Sequence, residues 1–106
     1  MRAMADAQKL SHTSALILHA IGAGDGYGFS VMEMTGLPSG TVYPALRRLE
    51  RDGLIRSQWE KAALAERAQR PPRKYYRLTR SGQAAFEASC ERYPLLQRLA
   101  GEEKRA

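Results

Sequence analysis

Apolar positions recur along this chain at changing intervals, and each change marks a new element. In residues 10–20, LSHTSALILHA, the apolar side chains Leu16, Ile17 and Leu18, with Ile21 just beyond, cover most of a helix's circumference. That is the pattern of a central core helix. Ser11 or Thr13 can cap its start, and the glycine-rich GAGDG of residues 22–26 ends it. Residues 27–35, YGFSVMEMT, predict a short helix in which Tyr27 or Phe29, Val31 or Met32, and Met34 can face inward. Gly36 stops that helix and Leu37-Pro38 turns the chain. Residues 39–52, SGTVYPALRRLERD, follow as an amphipathic helix. Val42, Leu46 and Leu49 form its i, i+4, i+7 stripe, and Thr41, Tyr43, Pro44, Arg47, Arg48 and Arg51 lie around the cylinder from it. Ser39 or Thr41 caps this helix. Pro44 costs little if it falls among the unbonded amides of the first turn, so a late start or a loosened first turn is expected.

Gly53 breaks the helix and the period drops to two. Residues 54–59, LIRSQW, and 74–79, KYYRLT, read as the strands of a hairpin; in the second, Tyr76 and Leu78 alternate with Tyr75, Arg77 and Thr79. Between them, ALAER reads as a helical fragment or a mobile piece, and Arg70-Pro-Pro-Arg73 as a stiff, extended, doubly charged loop. Thr79 or Ser81 caps a last helix. There Gly82, Phe86, Ser89, Tyr93, Leu96 and Ala100 fall on alternating spacings of four and three, a sparse heptad seam that Pro94 interrupts. The predicted fold is mainly α with a small β-hairpin. A winged helix-turn-helix occupies residues 1–80, and a C-terminal dimerisation helix with a polar tail occupies residues 81–106. One small domain of this size gains from pairing with a second copy, so the seam is expected to pair.

Charge sharpens this picture. The 106 residues carry a net charge of +6, and its placement is uneven. Residues 47–80 hold eleven Lys and Arg against four acids, a net +7, which leaves −1 for all the rest. A polyanion-binding face would concentrate charge in this way. Candidate catalytic chemistry is missing from the sequence: there is no nucleophile–base pairing, no paired carboxylates in a shared setting and no Cys/His cluster at metal-ligand spacing. The glycines at residues 22–26 have no strand before them and no Lys-Ser/Thr after them, so they read as a turn and not as a phosphate loop. No enzyme activity, metal or cofactor is expected. A single cysteine, Cys90, excludes an intrachain disulfide. With no signal peptide and no membrane-length apolar run, composition leaves cytosol and nucleus open. The regulator reading below carries a cytoplasmic location.

The run GYGFSVMEMTGLPSGTVYPALRRLERDGLI, then W-E, a Pro-Arg-rich wing, YYRLT and S-G, resembles the PadR-type winged-helix transcriptional regulators over roughly residues 16–86. The short tail is similar to that of the compact subgroup, which uses a single C-terminal helix for dimerisation. The resemblance implies a sequence-specific regulator, a repressor acting as a homodimer on double-stranded DNA at a near-palindromic operator. It places Ser39, Thr41, Tyr43 and Pro44 at the front of the recognition helix. Arg47 and Arg48 would lie along the groove or phosphates with Arg51 beside them, and Arg70, Arg73 and Lys74 would form the wing contact. Phe86, Ser89, Tyr93 and Leu96 would form the dimer seam. Tyr27 reads as a phosphate contact or a packing residue. In three places the chain departs from the family pattern: Asp25 stands where a histidine is frequent, Gln69 where a glycine is frequent, and Pro94 where the usual long pairing helix would continue. Some members of the family sense phenolic acids or drug-like compounds, so an effector of unknown identity belongs to the reading. Trp59 is read as core or sheet surface and not as a ligand platform. The other reading of the same sequence is a winged-helix protein-interaction module that does not bind DNA.

Overall fold

The computed structural model describes residues 10–24, 26–96 and 98. Residues 1–9, Asp25, Ala100 of the seam and the polar tail at residues 101–106 lie outside the described residues. The elements in order are α1 (His12–Gly22), α2 (Gly28–Thr35), α3 (Ser39–Arg51), β1 (Ile55–Trp59), α4 (Ala62–Arg67), β2 (Lys74–Leu78) and α5 (Arg80–Arg92).

Of the two caps the sequence allowed for α1, Ser11 is used: its hydroxyl accepts the Ser14 amide at 3.1 Å. Ile17, Leu18 and Ala20 are wholly buried, as the all-round apolar pattern predicts. Ser30 closes the start of α2 by accepting from the Tyr27 amide and donating to the Tyr27 carbonyl. Gly36 ends that helix in the left-handed region at φ 76°, where a side chain would be strained. On α2 it is Val31 that turns fully inward. Phe29 and Met34, both candidates for the core, are exposed instead, because an eight-residue helix packed on one side buries little more than one turn's stripe.

α3 corrects the expected late start. The helix begins at Ser39 with Pro38 as its cap, so Pro44 lies inside it and deletes a bond to the Gly40 carbonyl. Two amides, Thr41 and Val42, converge on the Pro38 carbonyl at 2.9 and 3.0 Å and secure the first turn without a side-chain cap. Burial of Val42, Ala45, Leu46 and Leu49 fixes the helix against α1 and α2. A fully buried Leu or Val side chain contributes about 1.5–3 kcal/mol, enough to offset one lost backbone bond.

β1 and β2 pair antiparallel, with Ile55 opposite Leu78 and Trp59 opposite Lys74. A single bridge between Tyr27 and Tyr75, supported by the Tyr76 amide on the Gly26 carbonyl at 2.6 Å, lays the α1–α2 loop along the outer edge of β2. Ile55 and Leu54 carry the hairpin's inner end into the core shared by α1, α2, α3 and α5, with Tyr76 and Leu78 packed against it. The α4 fragment forms as a helix at the wing tip.

α5 starts at Thr79, whose hydroxyl accepts the Gly82 amide at 3.0 Å and donates to the Gly53 carbonyl at 2.6 Å. Gly82 is required by packing: a Cβ there would come within 1.9 Å of the Leu54 carbonyl oxygen. The helix ends at Arg92, and Pro94 opens a separate turn tied by the Leu96 amide to the Tyr93 carbonyl at 2.9 Å. The expected seam is turned inward in this chain. Phe86 stacks on His19 at 5.6 Å, Ser89 is buried and bonds the Ala85 carbonyl, and Leu96 is buried. Tyr93 donates to the Leu10 carbonyl at 2.9 Å and packs edge-on against His12. The physical reason is that α1 offers an adjacent apolar flank, which takes the sparse seam within one chain.

Candidate nucleic-acid interface

Turning 3.6 residues per turn places Gly40, Pro44, Arg47 and Arg51 on the line opposite the buried stripe of α3. Arg47, Arg48 and Arg51 are all exposed. Arg51 is held lightly by its neighbour Asp52, with Nε 3.2 Å from the carboxylate. Ser39 is exposed and Thr41 and Pro44 are half-buried; neither hydroxyl caps the helix, so both face outward chemistry. A Cβ added at Gly40 would meet nothing within 4 Å, so the chain's own packing does not require glycine there.

Tyr43 sits on the flank of α3 nearest α2 and is 41% exposed. Its ring lies over Gly28, where a Cβ would come within 2.5 Å of the ring and its hydroxyl. Glu50, two turns on along the same flank, accepts the Ser57 hydroxyl at 2.5 Å and ties α3 to β1. Behind it, burial and the Glu50 carboxylate push the Tyr76 hydroxyl above the usual tyrosine range, and the nearby Arg47 guanidinium pulls the other way. Helix and wing therefore meet along a polar seam that leaves Arg47 outside.

Three cations were expected on the wing, and the structure treats them differently. Arg70 is engaged within the chain: its two terminal nitrogens donate to both Glu60 oxygens at 2.6 and 2.8 Å. Such a two-point pair is among the stronger ion-pair geometries. Glu60 also accepts the Arg73 amide at 3.2 Å, and its own amide donates to the Arg73 carbonyl at 2.7 Å. The Arg70 hydrogen bond, set against a partial desolvation that works the other way, holds the Glu60 carboxyl down at about 2, with the Arg73 amide helping. Arg70 is thus the clasp of the wing. Arg73 and Lys74 are half-buried and lie against rings. The Arg73 guanidinium lies 4.2 Å from the Tyr27 ring centre, and the Lys74 amine 5.8 Å from both the Trp59 and Tyr76 ring centres. Gln69 adopts φ 57°, so it takes the left-handed turn for which a glycine is frequent.

Glu60 and Gly28 carry no signal in the sequence pattern, and Trp59, read as core or sheet surface, takes the second of these places at 63% exposed. Ile55, Ser57 and Trp59 share one face by the strand's period of two, but α3 covers only the first two. The signal for Trp59 was its place at the far end of β1. Among the described residues no group of three or more His, Cys, Asp or Glu could hold a metal ion. Among them, too, no helix is long and apolar enough to cross a membrane.

Residues 17–88 match the PadR-like family of transcriptional regulators, a span that runs from α1 into α5. The chain belongs to that family. This regulator is similar in structure to a PadR family transcription regulator from Clostridium difficile R20291, at 25% identity and a TM-score of 0.69, covering 87% of this chain and 97% of that one. It is also similar to a PadR family transcriptional regulator from Eggerthella lenta, at 26% identity and a TM-score of 0.63, covering 84% and 78%. A transcriptional regulator from Clostridium thermocellum matches at 25% identity and a TM-score of 0.64, covering 86% and 88%. No curated relative matches the sequence. The mainly helical fold with its two-stranded wing is that of the PadR winged-helix regulators. The regulator is accordingly a DNA-binding transcription protein and not an enzyme.

Proposed function

We propose that the chain is a homodimeric repressor in which α3 enters the major groove and the wing follows the neighbouring phosphates. The observation that carries this is the division of α3: Val42, Ala45, Leu46 and Leu49 are buried while Arg47, Arg48 and Arg51 stand in solvent. The Ser39 and Gly40 amides open α3 ahead of the two amides held by the Pro38 carbonyl and suit a phosphate, with the Ser39 and Thr41 hydroxyls beside them. Arg47 and Arg48 then reach base edges or phosphates, Tyr43 contacts the backbone at the flank, and Arg51 adds charge at the rear. Arg73 and Lys74 supply the wing's phosphate contacts, and Arg70 sets their position through Glu60. In a dimer two recognition helices would lie roughly one duplex turn, about 34 Å, apart on a near-palindromic operator. Occupation of a promoter would block transcription in the cytoplasm. The division at residue 80 is one of roles, because α5 shares the core of the winged unit. Phe86, Ser89, Tyr93 and Leu96 serve pairing by seating α5 on α1, and the partner meets the outer side of that layer, where Leu95 is 49% exposed. A small-molecule effector would act by shifting this pairing geometry.

The test is retention of the gene's own upstream region by the wild-type chain and by Arg47→Glu and Arg48→Glu. Each reversal is expected to lower affinity by more than tenfold, since such contacts are worth about 1–3 kcal/mol each, with the far-UV circular dichroism unchanged. Unaltered retention by both variants would refute the reading.

A further inference from the structure

Between the wing and the front of α3 lies an open cleft of about 600 Å³. Its walls carry Tyr27, Phe29, Tyr43 and Trp59, with Arg73 and Lys74 at the rim. Phe29 is 54% exposed and Trp59 63%, a large amount of ring surface for the charged face of a small domain. Grooves of a paired duplex present base edges, with the base faces already stacked on one another, so duplex contact gives these rings no face to cover. An unpaired base has two free faces and an adjoining phosphate. It matches, at once, the open rings and the two cations set among them. The Lys74 amine stands 5.8 Å from the Trp59 and Tyr76 ring centres, and the Arg73 guanidinium 4.2 Å from that of Tyr27, so charge and ring surface are interleaved. Glu60 neutralises Arg70 and carries no charge of its own to the cleft that is left unpaired. Interleaved rings and cations are the means by which proteins hold single strands.

We propose that this cleft is a stacking site for an unpaired nucleobase, so that the chain binds single-stranded nucleic acid through the gap between its wing and recognition helix. The inference goes beyond the duplex reading and does not need it. Tyr43, Arg73 and Lys74 belong to both surfaces, so duplex and single strand compete. An unpaired base offered at a melted promoter would then meet a surface that overlaps the one that holds the intact operator and adds Phe29 and Trp59 to it.

The chain has one tryptophan, so its fluorescence reports on the cleft itself. The full-length protein is titrated with a short oligo(dT) and with an abasic strand of equal length and phosphate number. Saturable quenching by oligo(dT), at least about tenfold tighter than by the abasic strand, is the expected result. Phe29→Ser removes an exposed ring and leaves the core intact; it is expected to weaken oligo(dT) at least about fivefold and the abasic strand little. Arg47→Glu, outside the cleft, is expected to reduce duplex binding while quenching by oligo(dT) persists. That outcome would hold even if no operator were found, which separates this inference from the repressor reading. Equal affinity for the two strands, or no saturable quenching, would overturn it.

Discussion

Gly28 and Tyr43 lie fifteen positions apart, and each depends on the other. With a Cβ at Gly28 only 2.5 Å from the Tyr43 ring, Gly28→Ala must push that exposed ring aside. The ring is the free end of a side chain, so the cost in stability is small. Duplex affinity is expected to fall by about fivefold, the worth of one hydrogen bond of about 1 kcal/mol, in a fluorescence-anisotropy titration; unchanged affinity would remove Tyr43 from the contact. Gly40 gives the opposite combination. No packing requires it, so Gly40→Ala is expected to raise stability by up to about 1 kcal/mol through helix propensity, read as a higher urea midpoint. Gly40→Leu, which fits the free protein equally well, is expected to weaken duplex binding by bringing bulk to the helix front. If it binds as tightly as wild type, the front of α3 does not approach the duplex closely. At this scale the arginines of α3 were legible, because an apolar stripe at helical spacing assigns everything opposite to solvent. The Gly28–Tyr43 pair was not legible, since local pattern says nothing about which distant side chain will occupy an absent Cβ.

The wing shows what an element adds to its residues. Arg70 and Arg73 look equivalent in the sequence, yet one is clasped by Glu60 and the other is set over Tyr27. Only the antiparallel pairing of Trp59 with Lys74 brings Glu60 close enough to choose between them. Glu60→Gln is expected to loosen residues 61–73, seen as faster amide exchange there, while α1, α2 and α3 remain protected. The same clasp has a pH signature. The Glu60 carboxyl is held at about 2, below the ordinary carboxylate value near 4.5, so its contribution is fully present above the higher value. It is lost as pH falls through about 2. Wing-tip protection, taken relative to the intrinsic exchange rate at each pH, should therefore stay constant from neutral pH down to about 4.5 and fall below it; a loss confined to pH above 5 would contradict the assignment. α3 carries the other lesson at this scale. A late start or a loosened first turn was expected from the cost of Pro44; burial of the stripe outweighs that cost and the helix begins at Ser39. Leu46, buried completely at the centre of the stripe, is the position where this can be checked: Leu46→Ala is expected to cost about 2–5 kcal/mol.

As a whole the molecule sets a basic front against a core of four helices, and α5 closes that core from the rear. The order of elements, the hairpin and the basic segment at residues 47–80 could be read from spacing and charge. The direction of the α5 seam could not, because a sparse seam fits the chain's own α1 as well as a second copy, and only the packed structure shows Phe86 against His19. Pairing is expected through the exposed side of that layer, so a solution mass near twice 11.8 kDa is predicted, reduced toward the single chain by Leu95→Glu. The claim beneath the rest is that α3 and the wing engage the phosphates of a duplex with the charges counted above. Its most direct test is the affinity of the full-length chain for a duplex from its own upstream region, measured across a range of salt concentrations. Arg47, Arg48, Arg51, Arg73 and Lys74 on each of two protomers predict a steep fall, with log affinity against log salt sloping at roughly −5 to −9. A slope near zero would contradict the account.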